Sequence, residues 1–530
     1  MPTASAAVSR VEPLGGKVAP RALFRGESTI PALYLIMPPQ EGLLAGFATG
    51  LLCLQKHVAN TLPGQFVEII DLSSENYDSI VLRLSSLASR KGNVEFFGIT
   101  TTTATYQSAL GVARVIKQLR GPEAIIIFGG HHASADAATI LSRHPESVDF
   151  ILRGEGEAAL ASFLTAWPDL EAVPNLVRRL SDGRVNTAPD APLLSTSVLD
   201  TLTLDESWFL ESYHPGKFDH FTYVSARGCP LKCRFCSVAN QAIRGKSAPV
   251  IAAEIRRIVA AGYSRIAIED NFFAHSPART REVCAALREI RDQGVKFSWD
   301  CQTRVEAVAR REVPPLLSEA GCEAVFLGVE ALTEEALRFL GKAPQAERYF
   351  RQLCDAALPD LLDHQIEVYI NLQFGLPPEG MARPEETLTR LRALGGVAQK
   401  RGQTLTVFPQ LFVLYPGTAH FEEFVAAGVI WRTIFEEFTE WESTERALVS
   451  WMSRYFAHAV GGIPLGILDR EALATGKFDI DWQAVLNVEQ QMRDSASVAG
   501  VDIFKYATHV VPLTAGTSPS RELPKEGFAQ

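Results

Sequence analysis

Short apolar runs alternate with longer amphipathic segments between residues 30 and 180 of the chain. Runs of this kind predict strands, and the segments of ten or more residues between them predict helices. Strands that alternate with such helices indicate βαβ units and a parallel sheet, with ligands bound at the strand C-terminal ends. The predicted strands are residues 32–37, 66–72, 95–100, 124–128 and 148–152, and the predicted helices are residues 42–60, 77–90, 106–119, 133–143 and 157–167.

The same alternation returns after a polar, proline-containing connection. Six apolar runs with helical segments between them predict an open (β/α)6 barrel of the TIM type, with its site at the strand C-terminal ends. The predicted strands are residues 221–226, 265–269, 296–301, 324–329, 367–373 and 404–411, and the predicted helices are residues 249–261, 278–293, 314–320, 334–340, 347–357 and 383–400.

These patterns predict an α/β protein in five parts. We expect a flexible arm at residues 1–28, a parallel-sheet domain at 29–181, a linker at 182–219, the partial barrel at 220–420 and a mainly helical extension at 421–530. The extension has helical periodicity at 434–441, 448–460 and 482–499, and its last fifteen residues are expected to be disordered.

Composition narrows the functional class. The chain has 530 residues, of which 47% are hydrophobic, and a net charge of −10. That charge gives no electrostatic footprint for nucleic acid, so we expect no nucleic-acid partner. The sequence has no apolar stretch of the length that spans a bilayer and no apolar core of a signal peptide near its start. Together with unpaired cysteines, these features predict a cytoplasmic protein.

Three cysteines follow the first predicted barrel strand at the spacing C-x3-C-x2-C, namely Cys229, Cys233 and Cys236. Thiolates this close favour a soft metal or a cluster. A 4Fe–4S cluster normally takes four cysteines, so three leave one iron open to bind a substrate. Basic residues beside the thiols are expected to favour their ionised form, and these are Arg227, Lys232 and Arg234.

Two other interpretations of the cysteines stay open at this point. One is a buried loop with incidental cysteines. The other is a structural zinc site, which needs a fourth ligand, and His220 lies outside the usual close spacing.

The cysteine motif, with the aromatic Phe235 before its last cysteine, resembles that of the radical S-adenosylmethionine (SAM) superfamily. The resemblance implies that the amino and carboxylate groups of SAM chelate the open iron. It also implies that an electron, delivered by a flavodoxin- or ferredoxin-type donor, splits SAM into methionine and a 5′-deoxyadenosyl radical.

Polar residues at consecutive predicted strand ends agree with this resemblance. It implies that Glu269 or Asp270 pairs with the ammonium group of SAM and that an acid such as Glu330 holds its ribose hydroxyls. Gln302 and Arg304 close the third strand in a run similar to one found in the cobalamin-dependent subgroup. Each residue alone is equally consistent with a helix cap or a turn, and their order along the barrel favours the functional interpretation.

The fourth predicted strand is followed by Gly129-Gly-His-His-Ala-Ser134, and the fifth ends in Arg153-Gly-Glu-Gly-Glu157. These turns resemble those of the Rossmann-like cobalamin-binding domain that precedes many radical SAM cores. The motif D-x-H-x-x-G is absent, since Asp71 is followed by Leu-Ser-Ser-Glu, which implies that no protein histidine ligates cobalt. His131 and His132 are instead expected to line the nucleotide side of the site. The residues that the resemblance implies for cobalamin binding are Pro38, Thr101, Thr102, Gly129, Gly130, His132, Gly154 and Glu155.

Together the resemblances imply an enzyme that uses a 4Fe–4S cluster, SAM and cobalamin to methylate an unactivated carbon of a small-molecule, natural-product or peptide substrate. An alternative keeps both cofactors for cyclisation, rearrangement or oxidation without methyl transfer. A third hypothesis is a cobalamin-binding or zinc protein without radical catalysis. Cys301 and Cys322 are either hydrogen donors or methyl acceptors near the substrate or, in the favoured interpretation, small buried apolar residues.

Overall fold

The structure, a computed structural model, describes residues 31–39, 48–87, 94–204, 220–343, 345–374, 376, 384–412, 414–428 and 502–503. The predicted arm, the three predicted helices of the extension and the C-terminal tail lie outside the described residues. The described chain forms two seven-stranded sheets, one in each of the two regions of alternating pattern.

The first sheet contains all five predicted parallel strands, each within two residues of its predicted bounds. Its strand order is β2-β1-β3-β4-β5-β6-β7, so the chain changes direction across the sheet beside β1, where open α/β sheets bind ligands. The strands are β1 (Ala32–Met37), β2 (Val67–Asp71), β3 (Glu95–Thr100), β4 (Ala124–Gly129), β5 (Phe150–Leu152), β6 (Leu176–Arg179) and β7 (Val185–Thr187), and the helices are α1 (Thr49–Thr61), α2 (Tyr77–Ser86), α3 (Tyr106–Arg120), α4 (His131–Arg143) and α5 (Gly156–Ala166).

The apolar runs form strands because both faces of this sheet are covered. In β4, Ile126 and Phe128 enter one hydrophobic core, whereas Ile127 enters the core on the opposite face. A strand buried on both faces has a continuous apolar sequence rather than an alternating one. Helix α2 begins where the side chain of Asn76 accepts a 3.0 Å hydrogen bond from the backbone N–H of Ser79.

The sequence did not predict the two antiparallel strands at the edge of this sheet. Strand β6 pairs with β5 and then with β7, which follows after a short turn. The predicted boundary at residue 181 therefore falls inside a hairpin. Beyond it, a short helix α6 (Thr196–Leu199) lies in a segment of residues 193–204 that we call the strap.

The second sheet contains the six predicted barrel strands in sequential order and one further edge strand of two residues. That edge strand, β16, pairs in parallel with β15, so a part of the predicted extension returns to the barrel sheet. The sheet strands are β8 (Phe221–Tyr223), β11 (Arg265–Ile268), β12 (Ser298–Thr303), β13 (Cys322–Glu330), β14 (Glu367–Phe374), β15 (Thr406–Leu411) and β16 (Asp502–Ile503), and a separate antiparallel pair is β9 (Ala226–Arg227) and β10 (Arg244–Gly245).

One face of the second sheet packs against helices, and the other is only half-buried. Trp299 and Cys301 of β12 are buried in the helix-covered core, whereas Asp300 and Gln302 point to the opposite face. That alternation opens a polar mouth at one side of the barrel sheet. The helices are α7 (Ala248–Ala260), α8 (Pro277–Asp292), α9 (Val305–Val308), α10 (Val313–Glu319), α11 (Glu334–Phe339), α12 (Ala346–Gln352), α13 (Leu358–Asp363), α14 (Pro384–Gln399) and α15 (Ala419–Ala426), with a π-helical turn (Leu353–Ala357) between α12 and α13.

Among the helices that the structure describes, none combines the length and the apolar character that crossing a membrane requires.

Candidate active site between the two sheets

A cavity of about 580 Å³ lies between the two sheets and is lined by residues of both domains. The first domain contributes the C-terminal ends of β3, β4 and β5, including Gly129 and Gly154. The second contributes residues 221–228, which run from β8 into the cysteine segment. The strap closes a third side with leucines, of which Leu193 keeps 46% of its surface exposed. The cavity therefore borders both the turns predicted to bind cobalamin and the segment that leads into the cysteine loop.

Glycine is required at the turn after β4. Gly130 has φ +94°, and a Cβ there would lie 2.4 Å from the carbonyl oxygen of Thr101. The neighbouring loops pack this tightly because the Thr101 hydroxyl donates to the Gly129 carbonyl at 2.8 Å and accepts from the backbone N–H of Ala133 at 3.0 Å. Of the predicted cobalamin residues, Gly129, Gly130, Gly154 and Glu155 line the cavity.

The other predicted cobalamin residues do not line the cavity. Thr101 is fully buried, Thr102 is exposed and hydrogen-bonded to Thr105, and Pro38 is buried at the end of β1. His132 is 1% exposed, with its ring 4.1 Å from that of Tyr106. The residue that lines the cavity is instead its neighbour His131.

The three cysteines lie on one loop, residues 228–243, whose two ends meet at the β9–β10 pair. Gly228 has φ +89°, and a Cβ there would lie 2.3 Å from the carbonyl oxygen of Ala242, so the loop can close only with glycine at this position. All three thiols are partly exposed and unpaired. The two ends of the loop are thus held together by the β9–β10 pair, and the three cysteines lie between them.

The chemistry of the thiols fits a bound cluster. Burial raises the pKa of Cys236 to about 11, and the nearby thiols of Cys233 and Cys229 add to the effect. A coordinating metal removes that cost because it deprotonates its thiol ligands outright. The guanidinium of Arg304 donates to the Cys233 sulfur at 3.4 Å and would stabilise a thiolate there.

Two of the three basic residues that neighbour the thiols in the sequence form ion pairs with carboxylates instead. Arg227 pairs with glutamates of the first domain, and Arg234 pairs with Glu423. The guanidinium that contacts Cys233 is that of Arg304, which directly follows β12 and is 71 residues away from Cys233 in the chain.

Over the described residues, no three His, Cys, Asp or Glu side chains are close enough together to share one metal ion. A structural zinc site needs such convergence on a single ion. A cubane cluster does not, because each of its cysteines ligates a different iron.

A carboxylate and an amide face each other at the mouth of the barrel sheet. The Gln302 side-chain N–H donates to the Glu269 carboxylate at 2.8 Å, and Glu269 itself is exposed. Asp270 is different. It is 2% exposed and accepts hydrogen bonds from the Ser225 N–H, the Ser225 hydroxyl and the Ala226 N–H, all within 2.8 Å. Asp270 therefore fixes the backbone that leads into β9, while Glu269 stays open to a ligand.

A second carboxylate site lies at the end of β13. Glu330 has φ +70°, a conformation that L-residues rarely adopt, and it is 8% exposed. Its carboxylate accepts a 2.9 Å hydrogen bond from the Gln373 side chain, and the Lys342 ammonium lies 3.6 Å away. Burial lowers the pKa of Lys342, and the Glu330 carboxylate partly offsets that effect. Backbone strain combined with a buried ion pair is typical of a functional position.

Four charged residues join the two domains beside the cysteine loop. The Glu155 carboxylate accepts from Arg244 at 2.8 and 2.9 Å and from Arg227 at 3.5 Å. The Glu157 carboxylate accepts from Arg227 at 2.7 Å. Burial lowers the pKa of Arg227, but Glu157, Cys53 and Glu155 together more than offset this and raise that pKa above its ordinary value. We call this set the interdomain ion-pair cluster.

The strap is held to the barrel by a buried network. Glu254 is 0% exposed and accepts from the Leu204 N–H at 2.8 Å, the Tyr223 hydroxyl at 2.5 Å and the Lys246 ammonium at 2.6 Å. Lys246 also donates to the Leu202 carbonyl at 2.9 Å. The strap, which belongs to the predicted linker, is therefore fixed to the barrel where its leucines line the cavity.

Cys301 and Cys322 lie away from the cavity wall. They are 1% and 5% exposed, and both belong to the hydrophobic core. Burial raises the pKa of Cys301 well above its ordinary value, and the neighbouring thiol of Cys322 adds to the effect. The structure agrees with the interpretation of both as buried apolar residues.

Family models match the two regions separately. Residues 55–164 match the B12 binding domain, and residues 223–391 match the radical SAM superfamily. The chain is a cobalamin-dependent radical SAM enzyme. It thus joins a B12-binding domain to a radical SAM domain, and Cys229, Cys233 and Cys236 lie within the residues that match the radical SAM superfamily.

Several relatives of this cobalamin-dependent radical SAM enzyme have names that describe a reaction. An uncharacterized methyltransferase of Pyrococcus horikoshii is 25% identical over 77% of the chain and 86% of its own length. The hopanoid C-3 methylase of Methylococcus capsulatus is 28% identical over 55% of each protein. The anaerobic magnesium-protoporphyrin IX monomethyl ester cyclase of Rubrivivax gelatinosus is 28% identical over 56% of the chain and 54% of its own length. The chain thus matches about half the length of the last two.

Solved structures share the fold. The radical SAM methyltransferase TsrM of Kitasatospora setae, solved with tryptophan and a SAM analogue, has a TM-score of 0.56 at 17% identity. The match covers 75% of this chain and 76% of that one. The cobalamin-dependent radical SAM enzyme OxsB has a TM-score of 0.53 at 18% identity over 68% of this chain and 52% of its own.

Sequence reasoning missed several residues of the site. Arg244 and Lys342 carry no local motif that distinguishes them from surface charges, whereas Glu157 has a usable signal as the last residue of the run Arg153-Gly-Glu-Gly-Glu157. Arg244 and Glu155 are 89 residues apart in the chain, so only the fold brings them together. Lys342 had one usable signal, its position shortly after the strand that ends in Glu330.

Proposed function

We propose that this enzyme transfers a methyl group from SAM, by way of cobalamin, to an unactivated carbon of a small-molecule substrate. The observation that carries the proposal is the shared cavity wall. The glycine turns of the B12-binding domain and the segment that leads into the cysteine loop border the same space. A substrate in that space is in reach of both cofactor sites.

When bound, the cluster with SAM supplies a carbon radical and cobalamin supplies a transferable methyl group. The residues of the chain then bind the cofactors, orient the substrate and exclude water from the cavity. Cys229, Cys233 and Cys236 hold the cluster with one iron left for SAM, and Arg304 adds a positive charge beside Cys233. Gly129, Gly130 and Gly154 let the cofactor approach the backbone closely.

The two exposed or strained carboxylates receive distinct roles. Glu269 binds the ammonium group of SAM, because Asp270 already accepts three hydrogen bonds from its own domain. Glu330 holds the ribose hydroxyls, with its orientation fixed by Gln373 and Lys342. Gln302 orients Glu269 through the 2.8 Å hydrogen bond.

The apolar side chains of the strap favour an uncharged and largely apolar substrate. Four of its leucines line the cavity, and the charged side chains of that wall pair with one another. The names of the relatives supply a test panel, namely a hopanoid, which is largely apolar, and a magnesium-protoporphyrin monomethyl ester and tryptophan, which carry charged groups. A flavodoxin- or ferredoxin-type protein is the proposed electron donor.

Deuterated-methyl SAM tests the proposal. The anaerobically reconstituted enzyme with cobalamin and a reductant is incubated with each member of the panel, and products are analysed by mass spectrometry. We expect 5′-deoxyadenosine together with a product that carries the labelled methyl, and loss of both in Cys233→Ala. A modified product without label, formed together with 5′-deoxyadenosine, would replace methyl transfer by the cyclisation, rearrangement or oxidation alternative.

A further inference from the structure

The base of the cysteine loop has an unusual charge arrangement. Strands β9 and β10 pair so that Arg227 lies directly opposite Arg244. Like charges directly opposite each other on adjacent strands are destabilising. Both guanidinium groups are also largely buried, with side-chain exposures of 23% and 12%. The loop that carries the three cysteines therefore closes at a pair of mutually repelling cations.

The carboxylates that neutralise this pair come from the other domain. Glu155 contacts both arginines, and Glu157, only 4% exposed in its side chain, contacts Arg227. Both glutamates lie at the start of helix α5, directly after the turn whose Gly154 lines the cavity. The base of the cluster loop is therefore completed by the B12-binding domain.

The first residue of the same turn, Arg153, pairs within its own domain. Arg153, two residues before Glu155, pairs with Asp190 at 2.6 Å and donates to the Ala188 carbonyl, both in the chain of the first domain. The run Arg153-Gly-Glu-Gly-Glu157 thus has one end that serves its own domain and one that reaches across to the cysteine loop.

We propose that Glu155 and Glu157 are positioning residues for the iron–sulfur cluster, which hold the cysteine loop closed and facing the cobalamin site by neutralising Arg227 and Arg244. The proposal rests on the cluster assigned to the proposed function, but not on methyl transfer as its outcome. It differs from the sequence-based interpretation, which assigned Glu155 to cobalamin itself.

The test compares Glu155→Gln, Glu157→Gln and their double variant with Asp190→Asn, which removes a carboxylate from an arginine of the same turn without touching the cysteine loop. Each is reconstituted anaerobically with iron, sulfide and cobalamin. The measurements are iron per chain, the rate at which an iron chelator bleaches the cluster, and the EPR spectrum of the reduced cluster. Cobalamin content is read from the visible spectrum of the same samples.

We expect the double variant to lose its cluster roughly tenfold faster than the wild type, a factor equivalent to about 1.4 kcal/mol. Its EPR spectrum should change, because the spectrum reports the geometry of the cysteine ligands. Asp190→Asn should match the wild type in both measurements. Equal bleaching rates and an unchanged spectrum in the double variant would overturn the proposal.

A charge exchange covers the case in which a glutamine variant fails to fold. Glu157→Arg and Arg227→Glu are made singly and together, so that the pair is restored with reversed polarity in the double variant. We expect the double variant to retain its cluster longer than Arg227→Glu alone. Retention no better than in the single variant contradicts the proposal. None of these measurements depends on product formation. A negative methyl-transfer assay would therefore not change the conclusion about the cysteine loop.

Discussion

At the scale of single residues, two glycines determine how closely the loops of the site approach one another. Gly130 lies against the backbone of Thr101, and Gly228 lies against the backbone of Ala242. Both have positive φ angles, and in both a side chain would meet main-chain atoms that cannot rotate away. A glycine at such a position is required by packing as well as by conformation.

Gly130→Ala should destabilise the B12-binding domain by about 2 kcal/mol or more, from backbone strain and overpacking together. Chemical denaturation followed by circular dichroism measures the change. Gly111→Ala is the matched control, because Gly111 lies in helix α3 and a Cβ there meets no atom within 4 Å. That variant should be neutral or stabilising by up to about 1 kcal/mol. Equal effects at both positions would contradict the packing argument.

His132 gives the domain a specific pH dependence. Burial lowers the pKa of His132 to about 3, whereas an unfolded histidine titrates near 6.5. Between those pH values the unfolded chain binds more protons than the folded chain does at this histidine. The contribution of neutral His132 to the free energy of unfolding is therefore fully present above about pH 6.5 and is lost as the pH falls. The loss from this residue reaches about 2 kcal/mol at pH 5.

His132→Gln should remove that contribution, so its free energy of unfolding should fall less between pH 7 and pH 5 than that of the wild type. The measurement is denaturant unfolding of the cluster-free protein at the two pH values. His131→Gln is the comparison variant: burial lowers the pKa of His131 as well, but this residue lies on the cavity wall rather than in the core, so we expect its substitution to change the pH dependence less. The same pH dependence in wild type and His132→Gln would rule out this source.

The sequence predicted the residue types of the site better than their orientation. Cys229 could be named from its spacing to Cys233 and Cys236, and Glu269 and Glu330 from their places at the ends of predicted strands, where parallel sheets present functional groups. Which of two adjacent histidines faces the cavity could not be predicted, because that choice depends on the angle at which helix α4 leaves its turn. The role of Asp270 also required the fold, since its partners are 45 residues away.

At the scale of elements, strands buried on both faces were predictable and short edge strands were not. Each of β1 to β5 has an apolar run that only a covered strand explains. The sequences of β6, Leu-Val-Arg-Arg, and β7, Val-Asn-Thr, lack that signal. Strand β16 has two residues, too few for any period. The strap had a polar, proline-containing sequence around it, and only its partners in the barrel reveal that it is ordered.

The buried ion pair that holds the strap predicts an asymmetric response to mutation. Lys246→Met or Glu254→Leu alone should cost about 3–5 kcal/mol, because each leaves the other charge buried without its partner. The double variant should cost less than the sum, and less than the more damaging single change. Urea unfolding of the three variants measures these values. Additive losses in the double variant would show that the two side chains are not coupled.

At the scale of the whole molecule, the cavity makes the two domains thermodynamically dependent. Its wall contains residues of both domains and of the strap. The barrel domain also packs against the first domain at Gly417, where an added Cβ would lie 2.9 Å from the Cβ of Ala135. A ligand that fills such a cavity contacts both domains at once.

Cobalamin should therefore protect both domains from hydrogen exchange. At a concentration one hundred times the dissociation constant, bound ligand adds about 2.7 kcal/mol to the stability of the units that it contacts. We expect slower exchange in the strap and in residues 221–228 as well as in the turns of the first domain. Helix α8, which contributes no residue to the cavity wall, serves as the internal reference. Protection confined to the first domain would contradict this coupling.

The interdomain ion-pair cluster also bears on how such enzymes can be recombined. A chimera that joins the radical SAM domain of this chain to a B12-binding domain from elsewhere would carry Arg227 and Arg244 side by side. Unless the incoming domain supplies two acids at the start of the helix after its fifth strand, the cysteine loop would close over unbalanced charge. The unit that can be exchanged between relatives is thus larger than either domain, and it includes the turn from Arg153 to Glu157 with the loop that the turn supports.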